Sequence, residues 1–329
     1  LLLFKPLVKT MEIYIMKLNK IKLALGFVTA ATLAMPMVAS AAADQEKAMK
    51  DASNWAHPRG QHDNQAYSKL TQINKGNVKN LKAAWTLSTG VNRGHEGSPV
   101  VVGNMLYVHT AFPNNVYALD LNNNQKVVWS YFPKQDPSVQ AVLCCDNVNR
   151  GLGYGDGKIF LQQNDGMLVA LDAKTGAKVW DVRNTDPKVG ATNTNAPHVI
   201  KDKILTGCSG AEFGVRCFIA AYNIADGSLA WKAMSTGSDA DALIGADFNK
   251  DTPLYSALSV YEDVNGGNKQ GGSFKRIPNA QLKGGTTDLG LKTWLKPQAV
   301  KDGWQHGGGS TWGWWPYDAK TNLVYYGTG

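Results

Sequence analysis

Two adjacent cysteines, Cys144 and Cys145, are the residues whose spacing most directly suggests chemistry in this sequence. A trans peptide places neighbouring Cα atoms about 3.8 Å apart, whereas ordinary disulfides join Cα atoms about 4.4 to 6.8 Å apart, so a bond between these two would be strained. Because it would close almost no chain, it would add little of the stabilisation of a long crosslink. Its use would be a rigid, polarisable surface against a ligand, or a redox-sensitive group. The alternative is two reduced thiols that pack as small apolar side chains.

The amino-terminal sequence has the order of a secretory signal peptide. From Met16 onward it has lysines at 17, 20 and 22, an apolar stretch over 23–38 and a small-residue cleavage site ending at Ala41. The pattern predicts upstream, non-native translation over 1–15, a signal peptide over 16–41 and a mature chain from 42 in the periplasm. Pro36 interrupts the apolar stretch, which is shorter than the roughly 20 residues of a membrane span. We therefore expect an exported, non-membrane-spanning protein in a compartment where disulfides persist.

The composition narrows the class of protein further. Cys208 and Cys217 could bridge or stay free, and we expect them to be free and buried. The sequence has no C-x-x-C and no close His/Cys cluster, which argues against zinc. The formal charge of +8 comes partly from the signal region, and the other lysines are scattered, so no nucleic-acid patch is indicated. Ten tryptophans and 34 glycines are typical of a turn-rich β protein.

A hairpin pattern recurs with a period near fifty residues. The copies ALDLNNNQKVVW, ALDAKTGAKVW and AYNIADGSLAW end at Trp129, Trp180 and Trp231, which are 51 residues apart twice over. A looser copy ends at Trp85, and a later one begins at Tyr317. Strand-like runs between the copies give about four short strands per period, the content of one β-propeller blade. Unrelated hairpins in a β-sandwich are the alternative, but equal tryptophan spacing favours blades that dock through these rings.

Six motifs in order then carry a family resemblance. They are RGHEGSP, CCDNVNRG, TNAP, GCSGAEFGVR, GGGSTWGWWPYD and YYGTG. Over about residues 60–329 the sequence resembles the amino-terminal half of the quinoprotein alcohol dehydrogenases, close to the methanol dehydrogenases and their lanthanide-using branch. The resemblance implies an all-β, eight-bladed propeller that binds pyrroloquinoline quinone (PQQ), of which residues 42–329 form the front portion.

The resemblance also assigns residues to the cofactor. It places a Cys144–Cys145 disulfide on one face of the quinone and Trp312 on the other, because ring-on-ring contact suits an aromatic plate. Arg150 corresponds to a carboxylate-binding arginine, whose planar fork suits that task. The remaining cofactor contacts that it implies are Glu96, Thr194, Ser209, Gly210 and Ala211. Without the resemblance, these residues would be interpreted as a surface arginine, a structural tryptophan and turn formers.

A metal and a reaction follow from the same resemblance. Glu212 corresponds to a ligand of Ca²⁺ or a lanthanide(III), hard cations that take oxygen ligands. No catalytic residue is assigned, because the family's catalytic aspartate falls beyond Gly329, and we expect residues 42–329 alone to be inactive. The implied reaction oxidises a primary alcohol such as methanol and passes electrons to a c-type cytochrome. The resemblance is also compatible with a homodimer. The alternatives are a non-catalytic exported propeller scaffold and a quinoprotein dehydrogenase for another alcohol or sugar.

Overall fold

The computed structural model describes residues 42–236 and 307–329, together with the backbone of two strands between them. The predicted upstream segment and signal peptide lie outside the described residues. Three four-stranded antiparallel sheets follow one another along the chain, each with its strands paired in sequence order. Their strands are β1 Val100–Val102, β2 Met105–His109, β3 Val116–Asp120 and β4 Lys126–Tyr131; β5 Leu152–Gly155, β6 Lys158–Gln162, β7 Met167–Asp172 and β8 Lys178–Arg183; β9 His198–Ile200, β10 Lys203–Thr206, β11 Phe218–Asn223 and β12 Leu229–Met234.

Shorter elements complete the described chain. Two further hairpins pair β13 with β14 and β15 with β16. One α-helix, α1, precedes the first sheet. The bounds of these elements are Tyr261–Asp263, Phe274–Arg276, Tyr317–Asp318 and Leu323–Val324 for β13 to β16, and Ala43–Lys50 for α1. No helix in the described part of the chain is long and apolar enough to cross a membrane.

The sheets confirm the blade prediction, because each predicted hairpin forms the last two strands of a four-stranded unit. Trp129 lies on β4, Trp180 on β8 and Trp231 on β12, the fourth strand of each sheet. Buried side chains from neighbouring sheets form the core between them: Val116 and Trp129 of the first sheet pack with Leu161 and Leu171 of the second. This succession of stacked, four-stranded sheets is the β-propeller architecture.

Each docking tryptophan reaches the turn of the next blade. The indole Nε1–H of Trp129 donates to the carbonyl of Ala173 at 3.1 Å, and that of Trp180 donates to Ile224 at 3.3 Å. A Cβ at Gly176, which has a φ of +72°, would lie 2.6 Å from the Trp129 ring, so only glycine fits beneath the indole. The period of 51 residues in the sequence is therefore the period of a repeated inter-blade contact.

The two outlying copies of the repeat differ in outcome. The later copy forms the β15–β16 hairpin, as predicted. The earlier one was predicted as a hairpin and is not one, since residues 81–89 have no regular secondary structure and Trp85 is 42% exposed. A strand needs a partner for its backbone N–H and C=O groups, and within the described residues this segment has none.

The amino-terminal helix is anchored to the second blade. The Asp44 carboxylate accepts hydrogen bonds from the backbone N–H groups of Asp156 and Gly157, both at 2.8 Å. These two residues form the β5–β6 turn. Glu46, two residues further along α1, lies 3.0 Å from His62. The helix therefore fixes the start of the described chain against the turn of one blade and against the loop that precedes the first blade.

Truncation of an inter-blade tryptophan should cost substantial stability. Trp129 is 8% exposed, and we expect Trp129→Ala to lower the free energy of unfolding by about 3–5 kcal/mol, because it leaves a cavity and removes one of the two hydrogen bonds that the Ala173 carbonyl accepts. Urea unfolding followed by far-UV circular dichroism measures this loss. The control is Val128→Ala on the same strand, where a 46% exposed side chain predicts a loss below about 1 kcal/mol. Equal losses in the two variants would contradict inter-blade docking.

Candidate cofactor and metal site

Arg150 is the centre of the candidate site. It lies just before β5, is 5% exposed, and its Nη1 donates to Thr194 Oγ1 at 2.7 Å and to the Thr194 carbonyl at 3.2 Å. Its Nη2 lies 3.1 Å from Glu96 Oε2, and the Glu96 side chain is 45% exposed. Desolvation lowers the pKa of Arg150 from its usual value, and Glu96 opposes that effect. A buried guanidinium stays protonated, so the site contains a fixed positive charge.

Thr194 connects Arg150 with the third blade. Its Oγ1 lies 3.3 Å from Ser209 Oγ, so guanidinium, threonine and serine form one buried chain of hydrogen bonds. Thr194 precedes β9 and Ser209 follows β10. An antiparallel bridge between Thr192 and Ser209 holds these two segments together. The structure thus brings together Arg150, Glu96, Thr194 and Ser209, four residues singled out in the sequence.

Cys144 and Cys145 are joined by a disulfide, with their Cα atoms 3.7 Å apart. The bond is part of a short 3₁₀ turn, Cys145–Asn147, whose three residues all have positive φ. Asp146 fixes this turn, because its carboxylate accepts from the Gly94 N–H at 2.9 Å and from Arg93 at 3.0 Å. The Gly94 hydrogen bond and the Arg93 partner lower the pKa of Asp146. Cys145 is exposed and Cys144 half-buried, so the disulfide can meet a ligand.

The three tryptophans near the carboxyl end have different surroundings. Trp312 is 42% exposed, and the Arg150 guanidinium carbon lies 4.7 Å from its ring centroid. Trp314 donates from Nε1 to the Arg150 carbonyl at 3.3 Å. Trp315 is 2% exposed and stacks on His198, with ring centroids 4.9 Å apart. Trp312 is therefore the member of this group with ring surface available beside Arg150.

Glu212 lies in an exposed turn between β10 and β11. Gly210, with a φ of +116°, begins the turn, and a Cβ there would lie 2.2 Å from the Gly190 carbonyl oxygen. Ala211–Phe213 forms a single 3₁₀ turn. The Glu212 carboxylate is exposed and has no hydrogen bond or ion pair with any residue that the structure describes. Among the described residues, no three His, Cys, Asp or Glu side chains converge as a metal site, so Glu212 would be one donor of a larger set.

Cys208 and Cys217 correct the prediction of free thiols, because they form a second disulfide. Both are fully buried, as predicted, and their Cα atoms are 5.5 Å apart. The physical reason is the strand register: β10 and β11 are antiparallel, and Thr206 pairs with Ala220. Continuing that register places Cys208 opposite Phe218, the neighbour of Cys217, so the two cysteines come within reach of each other.

A buried network of amide side chains supports the site and was missed in the sequence. Asn164 donates to the carbonyls of Val148 and Asn193, at 3.0 and 3.1 Å. Asn193 in turn donates to the Gly207 carbonyl at 2.6 Å. These bonds fix the backbone just before Arg150, Thr194 and Cys208. The signal was the asparagine content of the runs CDNVNRG and TNTNAP, since buried loop carbonyls need donors.

The hydroxyl of Thr194 offers a direct test of this chain of hydrogen bonds. Thr194→Val keeps the side-chain shape but removes the acceptor of the 2.7 Å bond from Arg150. We expect a stability loss of about 1–3 kcal/mol, because a charged, buried N–H loses its partner. Chemical denaturation measures it, and Thr194→Ser, which keeps the hydroxyl, should recover most of the loss. A fully stable Thr194→Val protein would contradict this role.

Comparison with known proteins places this geometry in a family. Residues 55–252 match the PQQ family model described as glucose/ethanol/alcohol dehydrogenase, beta-propeller domain. The chain belongs to this family. Its buried arginine, adjacent-cysteine disulfide and repeated tryptophan docking are therefore features of a PQQ-family propeller.

Within this family, the chain is similar to several methanol dehydrogenases. The chain is 48% identical over 294 residues to a lanthanide-dependent methanol dehydrogenase of Methylorubrum extorquens, covering 88% of this chain and 43% of that protein. It is 44% identical over 312 residues to methanol dehydrogenase [cytochrome c] subunit 1 of Methylobacterium organophilum, covering 93% of this chain and 44% of that protein. A europium-containing methanol dehydrogenase structure matches with a TM-score of 0.69 and 43% identity, and the match covers 87% of this chain and 44% of that one. The chain spans less than half the length of these relatives.

Proposed function

We propose that the protein expressed from its complete reading frame oxidises methanol or another primary alcohol, using PQQ and a lanthanide(III) or Ca²⁺, and passes electrons to a c-type cytochrome. The observation that carries this proposal is the buried Arg150 guanidinium, placed beside Trp312 and connected to Thr194 and Ser209. The names of the relatives support the alcohol, the lanthanide and the cytochrome. A scaffold without catalysis would have no use for this set of residues.

The described residues fit a planar, anionic quinone. Arg150 is anchored through Nη1 to Thr194, whereas Nη2 faces the half-exposed Glu96 carboxylate. A carboxylate of the cofactor can therefore take the place that Glu96 occupies, in the fork geometry that guanidinium groups favour. Trp312 and the Cys144–Cys145 disulfide provide partly exposed, polarisable surfaces for its two faces.

The described residues fit the metal as a partial donor set. The Glu212 carboxylate has no competing partner among them, which leaves its oxygens available to a hard cation. Bound PQQ supplies hydride acceptance, and a bound cation supplies Lewis-acid polarisation, which side chains do not provide. The chain's own contribution is to bind and orient: Arg150 fixes a carboxylate, Thr194 and Ser209 fix oxygens, and Glu212 holds the cation. We assign no general base to the described residues.

Localisation follows as part of the proposal. The predicted signal peptide over 16–41 would export the chain to the periplasm, and both disulfides of the described chain suit an oxidising compartment. Mass spectrometry of the protein from the periplasmic fraction would show a start close to residue 42. Recovery of the intact amino terminus from the cytoplasm would contradict export.

Reconstitution tests the proposed function. The protein expressed from its complete reading frame is loaded with PQQ and with La³⁺ or Ca²⁺, and dye-linked methanol oxidation is measured. We expect turnover only when both PQQ and a metal are present, because each supplies chemistry that the other lacks. Turnover without PQQ would overturn the proposal. Activity with a sugar and none with methanol would replace the substrate by that of another quinoprotein.

A further inference from the structure

The Cys208–Cys217 disulfide has no role in the function described so far. It joins the residues just after β10 and just before β11, and both cysteines are fully buried. We call the segment that it closes, residues 208–217, the Glu212 loop. This loop contains Glu212 as well as Ser209, Gly210 and Ala211, so one bond encloses the proposed metal ligand and three proposed cofactor contacts.

Both ends of the Glu212 loop are also tied to the segment that carries Trp312. The Cys208 N–H donates to Thr311 Oγ1 at 3.0 Å, and the Cys208 carbonyl accepts from the Thr311 N–H at 2.9 Å. The Cys217 N–H donates to the Gly308 carbonyl at 3.1 Å. The disulfide therefore fixes the distance between two backbone anchors, and residues 308–311 lie across both of them directly before Trp312.

Between its anchors the loop is bonded to neighbouring segments at Ser209 and Val215, and its tip is the part with little support of its own. Its tip is a single 3₁₀ turn in which the Phe213 N–H donates to the Gly210 carbonyl at 2.9 Å. Glu212, Phe213 and Gly214 are exposed, and Glu212 has no side-chain partner among the described residues. Exposed turns with few buried contacts open at low free-energy cost. The rigidity of this turn must then come from its ends, where the disulfide lies.

We propose that the Cys208–Cys217 disulfide is a positioning element that holds the Glu212 loop in its metal-binding conformation. The inference rests on the proposed function, because it assumes that Glu212 binds the cation. Cys208 and Cys217 act through Glu212 and do not touch the metal themselves. The four strands of the third blade remain paired without the bond, so its loss should loosen the site more than the fold.

Metal titration tests the proposal in the protein expressed from its complete reading frame and loaded with PQQ. Terbium(III) is the probe, and its luminescence gives a dissociation constant. Cys208→Ala, Cys217→Ala and the double variant should each weaken terbium binding by about 10- to 100-fold, the usual effect of losing a group that supports a metal ligand. The three values should be equal, because each variant removes the same single bond.

A matched control separates positioning from general destabilisation. Tyr222 lies on β11 of the same blade, is 6% exposed, and donates from its hydroxyl to Asn184 at 3.0 Å. Tyr222→Phe removes that buried hydrogen bond, yet should leave terbium affinity unchanged. Wild-type affinity in the double cysteine variant would overturn the proposal, as would unequal single variants. Failure of the wild-type protein to bind terbium would instead overturn the proposed metal function, and this inference with it.

Hydrogen exchange gives a readout that needs no metal. In the double variant, exchange at the Phe213, Gly214 and Val215 amides should become at least about tenfold faster, whereas the amides of β11 should keep their protection. Tyr222→Phe should leave the loop amides unchanged. If the alanine variants do not fold, Cys208→Ala/Cys217→Val replaces the sulfurs with apolar groups of similar volume. Unchanged loop exchange in a folded variant would overturn the proposal.

Discussion

Glu212→Ala is expected to abolish metal-dependent methanol oxidation by the protein expressed from its complete reading frame. The variant removes the carboxylate that we propose as a metal ligand, and with it the Lewis acid that a bound cation would supply. That contribution is worth several kcal/mol, so activity should fall by about a thousandfold or more. Dye-linked turnover measured at saturating PQQ and La³⁺ checks the loss. Unchanged turnover would contradict the assignment of Glu212 as a metal ligand.

The fold should survive this substitution, which makes the result easy to interpret. Glu212 is exposed and has no partner among the described residues, so its truncation should change the free energy of unfolding by less than about 0.5 kcal/mol. Asp181→Asn is a matched control, because it removes an exposed carboxylate whose ion pair among the described residues is with Lys178, at 3.0 Å on the same strand. We expect full activity in that control. Terbium binding should be lost in Glu212→Ala and retained in Asp181→Asn.

The blades could be predicted because their signal is local and repeated. Trp129, Trp180 and Trp231 mark one position in successive blades, and turn chemistry close to each in the sequence identifies the hairpin. Adjacency defined the geometry that a Cys144–Cys145 bond would need, whereas the family resemblance predicted that the bond forms. Trp85 shows the limit of such a pattern, because a strand also requires a partner that the local sequence does not contain.

The parts that escaped prediction depend on residues far apart in sequence. The Cys208–Cys217 bond required the register of β10 and β11, which is fixed by pairings such as Thr206 with Ala220. The amide network beneath Arg150 required knowing which loop carbonyls become buried. Family resemblance predicted Glu96 and Thr194 as cofactor contacts but not as partners of Arg150. In the structure both contact one guanidinium from segments more than forty residues away.

A cluster of buried histidines gives the second large expected effect. His57 and His198 have ring centroids 5.5 Å apart, and each is 1% exposed. Burial lowers the pKa of His198 to about 3 and that of His57 well below its usual value. Near Arg150, burial likewise lowers the pKa of His109 to about 4. All three are neutral in the folded protein near neutral pH, but titrate near 6.5 once unfolded.

The sign of the resulting pH dependence follows from proton binding. Between pH 6.5 and about 4 the unfolded chain binds protons at these histidines and the folded protein does not, so stability falls as pH falls. Each histidine contributes a slope of up to about 1.4 kcal/mol per pH unit, and the three together up to about 4 kcal/mol per pH unit.

Urea unfolding at several pH values between 7 and 4.5 measures this slope. His109→Gln keeps a donor for the Asn149 carbonyl, which the His109 Nε2 meets at 3.1 Å, but removes one titrating group. We expect the slope to fall by about a third in this variant, since two of the three histidines remain. A stability independent of pH across this window would mean that the buried imidazoles accept protons without unfolding.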